Sequence, residues 1–281
     1  MKKFSDTSFA VAAGSNGFTA KSMDKQIRKE LGVHGKKWQT FHGGYFSDPV
    51  VASPFVEVVQ KAIGLSRPGV IVDLGGGTGF LLNELIKHNV NPRIRLVNLD
   101  ISQRQLDVKP HSRIYPVHQS MTEFRRADAH KGNKRFLFMM RSALHYFGRD
   151  GLMPFLHHLR SQLKKGELFV HQTACFDCSG DARCLNRLYQ CIGTRKWYPT
   201  VKQLCMRLEK AGWNIVSIVP ATSLLLTSHD LGKRYSLNKN RLLEIRDELL
   251  KYFGEKNDIF RLTRRDFYAF LHYRIFTCVA I

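Results

Sequence analysis

Short apolar runs alternate with amphipathic stretches from Val70 to Gly212, and this alternation predicts the secondary structure of most of the chain. Runs of strand length occur at 69–74, 94–99, 113–118, 135–141 and 167–173. Helical apolar spacing occurs at 79–89, 150–164 and 200–211. Strands that alternate with helices form parallel sheets covered on both faces, so the pattern predicts a doubly wound α/β fold.

The alternation stops after Gly212. Two further strands are predicted, at 213–219 and 273–280, and about fifty residues separate them, far more than a hairpin turn requires. An amphipathic run at 241–250 predicts a helix between them. We interpret residues 219–271 as a cap insertion, which is either a substrate lid or a helical decoration without a role in the site.

The chain before the first strand has a different pattern. Residues 1–65 are interpreted as an N-terminal extension or lid, and residues 66–281 as the main domain. Helical apolar spacing begins at Pro49, and Asp48 is the predicted N-cap because its carboxylate can accept from the first free backbone N–H groups.

A glycine-rich turn, residues 75–79, lies between the first strand and the first helix of the alternating region. This arrangement opens the nucleotide-binding half of doubly wound sheets. The dinucleotide fingerprint Gly-x-Gly-x-x-Gly/Ala, counted from Gly75, needs a small residue where this chain has Phe80. NAD and FAD are therefore disfavoured as the ligand.

The pattern Asp73-x-Gly-x-Gly-x-Gly resembles motif I of class I S-adenosylmethionine (SAM)-dependent methyltransferases. The resemblance implies a seven-stranded, mostly parallel sheet with an antiparallel last strand, here with a helical N-terminal extension and a helical insertion before that strand. It also implies that SAM is the cofactor. Asp73 is the candidate for holding the amino group and sulfonium, and the turn contributes Gly75, Gly77, Thr78 and Gly79.

Two later strands supply further candidates for cofactor binding. Asp100 ends the second strand roughly 20 residues after the glycine turn, the spacing at which an acid meets ribose hydroxyls. The alternative is a solvated aspartate at a strand end. Ile101 would then lie beside the adenine ring. The third family motif corresponds to the region of Ser120 and Met121, with Ser120 where many members have Asp.

The fourth strand ends in Met140-Arg141-Ser142-Ala143-Leu144-His145-Tyr146-Phe147. This resembles the Met-Lys-x-x-x-His-x-Trp of small-molecule O-methyltransferases, in which the histidine is the base. His145 is therefore a candidate catalytic base, with a substrate-pocket residue and a packed histidine as the alternatives. Arg141 is assigned to cofactor binding, and Tyr45, Phe46, Tyr146 and Trp197 to the substrate pocket; packing in the core is the alternative for Tyr45 and Phe46.

The acceptor is less well defined than the cofactor. The chain has no Asn/Asp-Pro-Pro-Tyr and no Pro-Cys at the fourth strand, as base methylases would, and no acid cluster there for magnesium. A small-molecule acceptor is the leading hypothesis, with oxygen favoured over nitrogen. The net charge of +21 raises the affinity for polyanions, so an RNA or ribosomal methyltransferase is the alternative. A non-catalytic SAM-binding protein is the second alternative.

The cysteines and the hydropathy add two expectations. Four of the six cysteines lie between Cys175 and Cys191, but their spacing is loose for zinc, so reduced thiols and no metal are predicted. No apolar run approaches the ~18 residues of a membrane span. The first residues lack the apolar segment of a secretory signal, so a cytoplasmic location is expected.

Overall fold

The structure is a computed structural model that describes residues 42–108, 111–256, 258–264 and 266–281. Of the predicted N-terminal extension, residues 1–41 therefore lie outside the described residues. Helix α1 (Pro49–Ser66) begins as predicted, because Asp48 accepts a hydrogen bond from the Val50 backbone N–H at 2.8 Å.

The remaining elements follow in the predicted alternation. They are β1 (Val70–Leu74), α2 (Phe80–Lys87), β2 (Arg95–Asp100), α3 (Gln103–Leu106), β3 (Ile114–His118), α4 (Arg126–Ala129), β4 (Phe136–Arg141), a 3-10 turn (Leu144–Phe147), α5 (Gly148–Ser161), β5 (Leu168–Ala174), α6 (Ser179–Cys191), α7 (Val201–Lys210), β6 (Trp213–Thr227), α8 (Ser228–Tyr235), α9 (Lys239–Phe253), β7 (Phe260–Leu262) and β8 (Phe267–Ala280).

One mixed sheet runs through the molecule in the order β3-β2-β1-β4-β5-β8-β6. Strands β1 to β5 pair in parallel, and β8 pairs antiparallel with both β5 and β6. The predicted doubly wound fold with an antiparallel last strand is confirmed. Within the described residues the sheet has eight strands instead of seven, because the three-residue β7 pairs with β8.

Alternate residues of the central strands pack on opposite faces of the sheet. Val70 and Val72 of β1 belong to a core that also contains residues of α5 and α7. Ile71 belongs to a second core, shared with α1 and α2. Strand β1 is buried along its whole length, as a strand covered on both faces must be. Helices on both faces thus fix the position of the strand ends that carry the glycine turn.

The predicted ends of the last two long strands are wrong. Strand β6 continues beyond 219 to Thr227, and β8 begins at Phe267 instead of 273. The two strands pair from Trp213↔Ala280 to Thr227↔Tyr268, with register shifts on the way. Proline has no backbone N–H to donate, so Pro220 indicates the end of a strand when only the sequence is considered. Strand β6 lies at the edge of the sheet, however, and an edge strand tolerates a residue without an N–H.

The predicted helix at 241–250 is confirmed and lies within α9. The helical part of the 219–271 segment runs from Ser228 to Phe253, since its two ends belong to β6 and β8. Helices α8 and α9 pack with α6 and the far ends of these strands around a third core. Arg187 of α6 also donates to Glu248 of α9 at 2.6 Å. In the described ranges, no helix combines the length and the apolar character that crossing a membrane requires.

Candidate functional site

The glycine-rich turn after β1 is tied to the neighbouring strand β2. Gly75 donates a backbone hydrogen bond to the Leu99 carbonyl at 2.8 Å. The Gly77 N–H donates to Asp100 Oδ2 at 2.9 Å, and the Asn98 amide donates to the Gly77 carbonyl at 2.9 Å. Asp100 and Asn98 of β2 therefore hold the backbone N–H and the carbonyl of Gly77 through their side chains.

Two positions of the turn leave little room for a side chain. Gly77 has a φ of +59°, and a Cβ built there would lie 2.4 Å from Gln105 Oε1. At Gly76 a Cβ would lie 2.3 Å from Asn98 Oδ1 and 2.6 Å from the Asp73 carboxyl carbon. Glycine is required at both positions, and the exposed backbone of the turn can approach a ligand closely.

A pocket opens at the carboxyl ends of β1 and β4, where the strand order of the sheet reverses. Doubly wound sheets bind their ligands at this place. Most of the predicted site residues line it: Phe46, Asp73, Gly75, Gly77, Thr78, Asp100, Ile101, Ser120, Met121, Arg141 and Tyr146. The structure brings these residues together from five separate segments. Tyr45, Gly79, His145 and Trp197 are not among the lining residues.

Asp73 is the most unusual group in the pocket. Its side chain is 1% exposed, and neither carboxylate oxygen has a hydrogen-bond partner within the described residues. Burial and the nearby Asp100 raise the pKa of Asp73 to about 7, while Arg141 opposes this shift. A buried carboxylate without a partner costs free energy. The ammonium group of SAM would supply the missing donor, so the residues present fit this cofactor.

Asp100 has a different environment on the other side of the turn. Its Oδ2 accepts from Gly77, and its Oδ1 accepts from the Ser102 backbone N–H at 2.8 Å. Burial raises the pKa of Asp100, and the backbone hydrogen bonds oppose this shift. Because each carboxylate oxygen can accept two hydrogen bonds, Asp100 can hold the turn and still accept from a hydroxyl in the pocket.

Residues 42–48 form a turn that covers the pocket beside Arg141. Arg141 ends β4 and donates to the carbonyls of Tyr45 at 3.2 Å and Phe46 at 3.4 Å. Its guanidinium also lies 5.5 and 5.7 Å from their ring centroids. Phe46 lines the pocket, whereas Tyr45 packs in the core and stacks on Tyr273 with a centroid distance of 5.8 Å.

The 3-10 turn after β4 separates two adjacent candidates. Tyr146 lines the pocket, while His145 is 6% exposed and lies behind it. The His145 ring centroid is 4.2 Å from that of Tyr146 and 5.2 Å from that of Tyr198. His145 therefore packs against two tyrosine rings and is not among the lining residues.

Trp197 and Gly79 occupy structural positions. Trp197 packs against the core that contains α5 and α7, and the Arg207 guanidinium lies 4.8 Å from its ring. Gly79 has a φ of +76° and immediately precedes α2. A Cβ at Gly79 would lie 3.3 Å from the Asn98 amide. Neither residue lines the pocket.

Sequence reasoning did not single out Asn98 or Ser142. Asn98 carried a signal, because it is the polar residue that interrupts the apolar run of β2. Ser142 lines the pocket with a φ of +57°, a conformation that non-glycine residues rarely adopt. Its hydroxyl hydrogen-bonds with that of Tyr273 at 2.6 Å. No local signal reveals this conformation, because distant strand β8 supplies the partner.

The six cysteines are free thiols in the structure. Cys175 and Cys184 are buried, whereas Cys178 is exposed. No group of three or more His, Cys, Asp and Glu residues in the described part of the chain is arranged to hold a metal ion.

Among known proteins, one family model matches the chain, and many solved structures have a similar fold. A family model described as a methyltransferase domain matches residues 52–218. None of the curated protein sequences matches the chain. The YcgJ protein from Bacillus subtilis is 12% identical, with a TM-score of 0.59 over 81% of this chain and 98% of that one. The 1,6-didemethyltoxoflavin-N1-methyltransferase of Burkholderia thailandensis, solved with 1,6-didemethyltoxoflavin and S-adenosylhomocysteine (SAH), is 14% identical, with a TM-score of 0.55 over 98% and 93%.

A third similar structure is phosphoethanolamine N-methyltransferase 2 of Haemonchus contortus, solved with phosphomonomethylethanolamine and SAH. It is 12% identical, with a TM-score of 0.50 over 92% of this chain and 59% of that one. At these identities the likeness shows the fold alone. The family model, in contrast, spans more than half of the chain, including the glycine turn and the strands that line the pocket. The chain therefore belongs to the methyltransferase domain family and is a class I, SAM-dependent methyltransferase.

Proposed function

We propose that this enzyme transfers the methyl group of SAM to a small-molecule acceptor, with an oxygen nucleophile favoured over a nitrogen. The observation that carries this proposal is the cover over the pocket. The 42–48 turn places Phe46 and Ser47 in the lining, and Tyr146 and Phe147 line it from the end of β4. A covered pocket with aromatic walls suits a compact acceptor better than a base within a folded RNA.

The charged lining supports one orientation of the cofactor. Asp73 would accept from the ammonium group, and Arg141 would pair with the carboxylate, since its Nε is buried without a partner within the described residues. Asp100 would accept from the ribose hydroxyls. SAM supplies a methyl carbon that is already activated, so the main task of the protein is to align it with the acceptor.

The adenine end would lie between β2 and β3. Ile101 and Met121 provide apolar contacts there, and Gln119 and Ser120 provide polar groups in the lining. The Ser120 hydroxyl hydrogen-bonds with that of Thr122 at 2.8 Å. This arrangement gives the adenine amino group an oxygen partner in the absence of the usual aspartate.

A methyl-transfer screen tests the proposal directly. The wild type and Gly77→Val are incubated with methyl-labelled SAM and with panels of phenols, alcohols and amines, and separately with total RNA. We expect label in at least one small molecule with the wild type. We expect none with Gly77→Val, because the valine would collide with Gln105 and with the cofactor.

A matched control separates the collision from backbone strain. Gly254 also has a positive φ, of +65°, but a Cβ there meets nothing within 4 Å. Gly254→Val should therefore retain SAH binding by calorimetry and methyl transfer. Label that enters RNA and none of the small molecules would contradict the proposed acceptor class, and SAH binding to Gly77→Val with unchanged affinity would contradict the proposed cofactor site.

A further inference from the structure

Two buried basic side chains from separate segments contact Tyr146, the tyrosine that lines the pocket after β4. Arg234 of α8 donates to the Tyr146 hydroxyl at 3.2 Å. Lys196, from the loop between α6 and α7, has its ammonium 4.8 Å from the Tyr146 ring centroid. Arg234 is 6% exposed and Lys196 is 5% exposed, so water screens both charges weakly.

Hydrogen bonds hold these two cations in place. A second nitrogen of Arg234 donates to His42 Nε2 at 3.0 Å, and Lys196 donates to the Tyr235 hydroxyl at 2.7 Å. His42 belongs to the 42–48 turn, and Arg234 belongs to the helical segment between β6 and β8. Both segments that flank the pocket therefore meet at Arg234, which contacts the Tyr146 hydroxyl.

We propose that Tyr146, and not His145, accepts the proton of the methyl acceptor. The inference rests on the proposed function and concerns the same site. Of the two adjacent residues, Tyr146 lines the pocket and His145 does not. A proton acceptor must come within hydrogen-bond reach of the acceptor group, and Tyr146 meets this requirement from its position in the lining.

The charges around Tyr146 favour its phenolate form. Arg234 and Lys196 face it from the packed segments, and His145 faces it from its own turn. The same two cations also face Tyr235, whose hydroxyl accepts from Lys196 at 2.7 Å and whose ring centroid lies 5.4 Å from the Arg234 guanidinium. Tyr146 differs from Tyr235 in that it lines the pocket. Arg234 stays cationic at any pH at which the protein is folded. An opposite charge within ~4–6 Å favours the ionised form of a titratable group. Arg234 and Lys196 therefore lower the free energy of the phenolate relative to the phenol.

The proton transfer accompanies one exchange of bonds. A lone pair of the acceptor oxygen or nitrogen forms the bond to the methyl carbon, while the carbon–sulfur bond breaks and leaves its electron pair on sulfur. The acceptor's proton passes to the phenolate oxygen of Tyr146, which becomes a neutral phenol. Tyr146 then releases this proton to solvent and is ready for the next acceptor.

A spectroscopic pH titration tests the proposal without knowledge of the acceptor. The near-ultraviolet absorbance of tyrosinate is followed in the wild type, Tyr146→Phe and Arg234→Gln. In the wild type we expect one phenol to ionise at lower pH than the others. Tyr146→Phe should lack this transition, and Arg234→Gln should move it to higher pH by about one unit or more, because one of the two nearby cations is lost.

Tyr235→Phe is the matched control, because Lys196 and Arg234 contact Tyr235 as well, and this variant should retain the early transition. Loss of the early transition in Tyr235→Phe, with its retention in Tyr146→Phe, would overturn the proposal. Identical titrations of the wild type and Tyr146→Phe would overturn the proposal. If Tyr146→Phe fails to fold, an unchanged early transition in Arg234→Gln would overturn it instead. SAH affinity is measured on each protein by calorimetry. If SAH does not bind the wild type, the proposed function fails, whereas normal SAH binding without an early phenol refutes only the assignment of Tyr146.

Discussion

At the scale of single residues, Asp73 and Asp100 show that two aspartates beside the same turn can differ in the hydrogen bonds that their carboxylates accept. Both end or nearly end a strand beside the glycine turn, and both are buried. Asp100 accepts two backbone hydrogen bonds, whereas Asp73 accepts none within the described residues. Asp100 is thus part of the scaffold as well as the pocket, and the carboxylate of Asp73 is left for a ligand.

The raised pKa of Asp73 predicts a pH dependence. Because this pKa is about 7 in the folded protein, the folded state keeps a proton that the unfolded chain releases at lower pH. The free energy of unfolding of the ligand-free protein should therefore fall as pH rises toward about 7. A ligand ammonium favours the carboxylate, so SAH affinity should increase over the same range. Calorimetry and thermal unfolding at several pH values measure both effects.

Asp73→Asn should remove the pH dependence of SAH affinity and reduce that of the unfolding free energy, to which Asp100 also contributes. It should weaken SAH binding by about tenfold or more at alkaline pH, the cost of losing a hydrogen bond to a charged group. The exposed Asp107 provides the control, because Asp107→Asn removes a carboxylate that does not line the pocket. A wild-type SAH affinity that stays constant as pH rises would contradict the role given to Asp73.

At the scale of elements, the 42–48 turn is anchored on an irregularity of strand β6. A register shift between Ala221 and Leu224 interrupts the pairing with β8. The Thr222 carbonyl at this shift accepts a hydrogen bond from the Tyr45 hydroxyl, which also accepts from the Gln172 amide at 3.3 Å. This irregularity of β6 therefore helps to hold the 42–48 turn in place beside the pocket.

Tyr45→Phe should loosen this cover without altering the pocket lining. It leaves the amide of the buried Gln172 without the hydroxyl that accepts its hydrogen bond, which costs about 1–3 kcal/mol. We expect SAH to dissociate about fivefold or more faster in stopped-flow measurements, with the overall fold retained by circular dichroism. Tyr268→Phe, at a half-exposed tyrosine of β8, should leave dissociation unchanged. Equal dissociation rates for Tyr45→Phe and the wild type would show that the turn does not retain the ligand.

At the scale of the whole molecule, one basic groove and the pocket lie at opposite ends of the strands. A basic groove is lined by Arg125, Arg126, Lys131 and Lys164. These residues precede β4 and β5, so the groove lies at the amino ends of those strands. The pocket lies at their carboxyl ends, so the basic residues of this groove do not line the pocket.

This separation predicts two independent kinds of binding. RNA should bind weakly at physiological salt, should lose affinity steeply as salt rises, and should not compete with SAH. Lys131→Glu combined with Lys164→Glu should reduce RNA binding further and leave SAH affinity unchanged. Fluorescence anisotropy with labelled RNA, with and without SAH, measures this. Tight RNA binding at physiological salt that involves the methyl-transfer pocket would instead favour the RNA methyltransferase alternative.

The sequence alone determined the features that depend on local chemistry. The strand, turn and helix around Asp73 follow from the spacing of apolar residues and from glycines at positive φ. The same pattern identified most of the pocket lining, because parallel strands bring the residues at their carboxyl ends to one edge of the sheet. The start of α1 could also be predicted from the sequence, because its N-cap residue Asp48 immediately precedes the helix.

Only the tertiary structure decided the features that depend on distant partners. Strand β6 continues beyond Pro220 because it pairs with strand β8, and the sequence around Pro220 does not indicate that pairing. The pKa of Asp73 depends on how many other segments exclude water from its carboxylate. Tyr146 and His145 are neighbours in the sequence, but Tyr146 lines the pocket and its hydroxyl accepts a hydrogen bond from Arg234, 88 residues away, whereas His145 does not line the pocket. Packing, burial and contacts with distant charges thus determine the pKa of Asp73 and the hydrogen bonding of Tyr146, which the residues next to them in the sequence do not indicate.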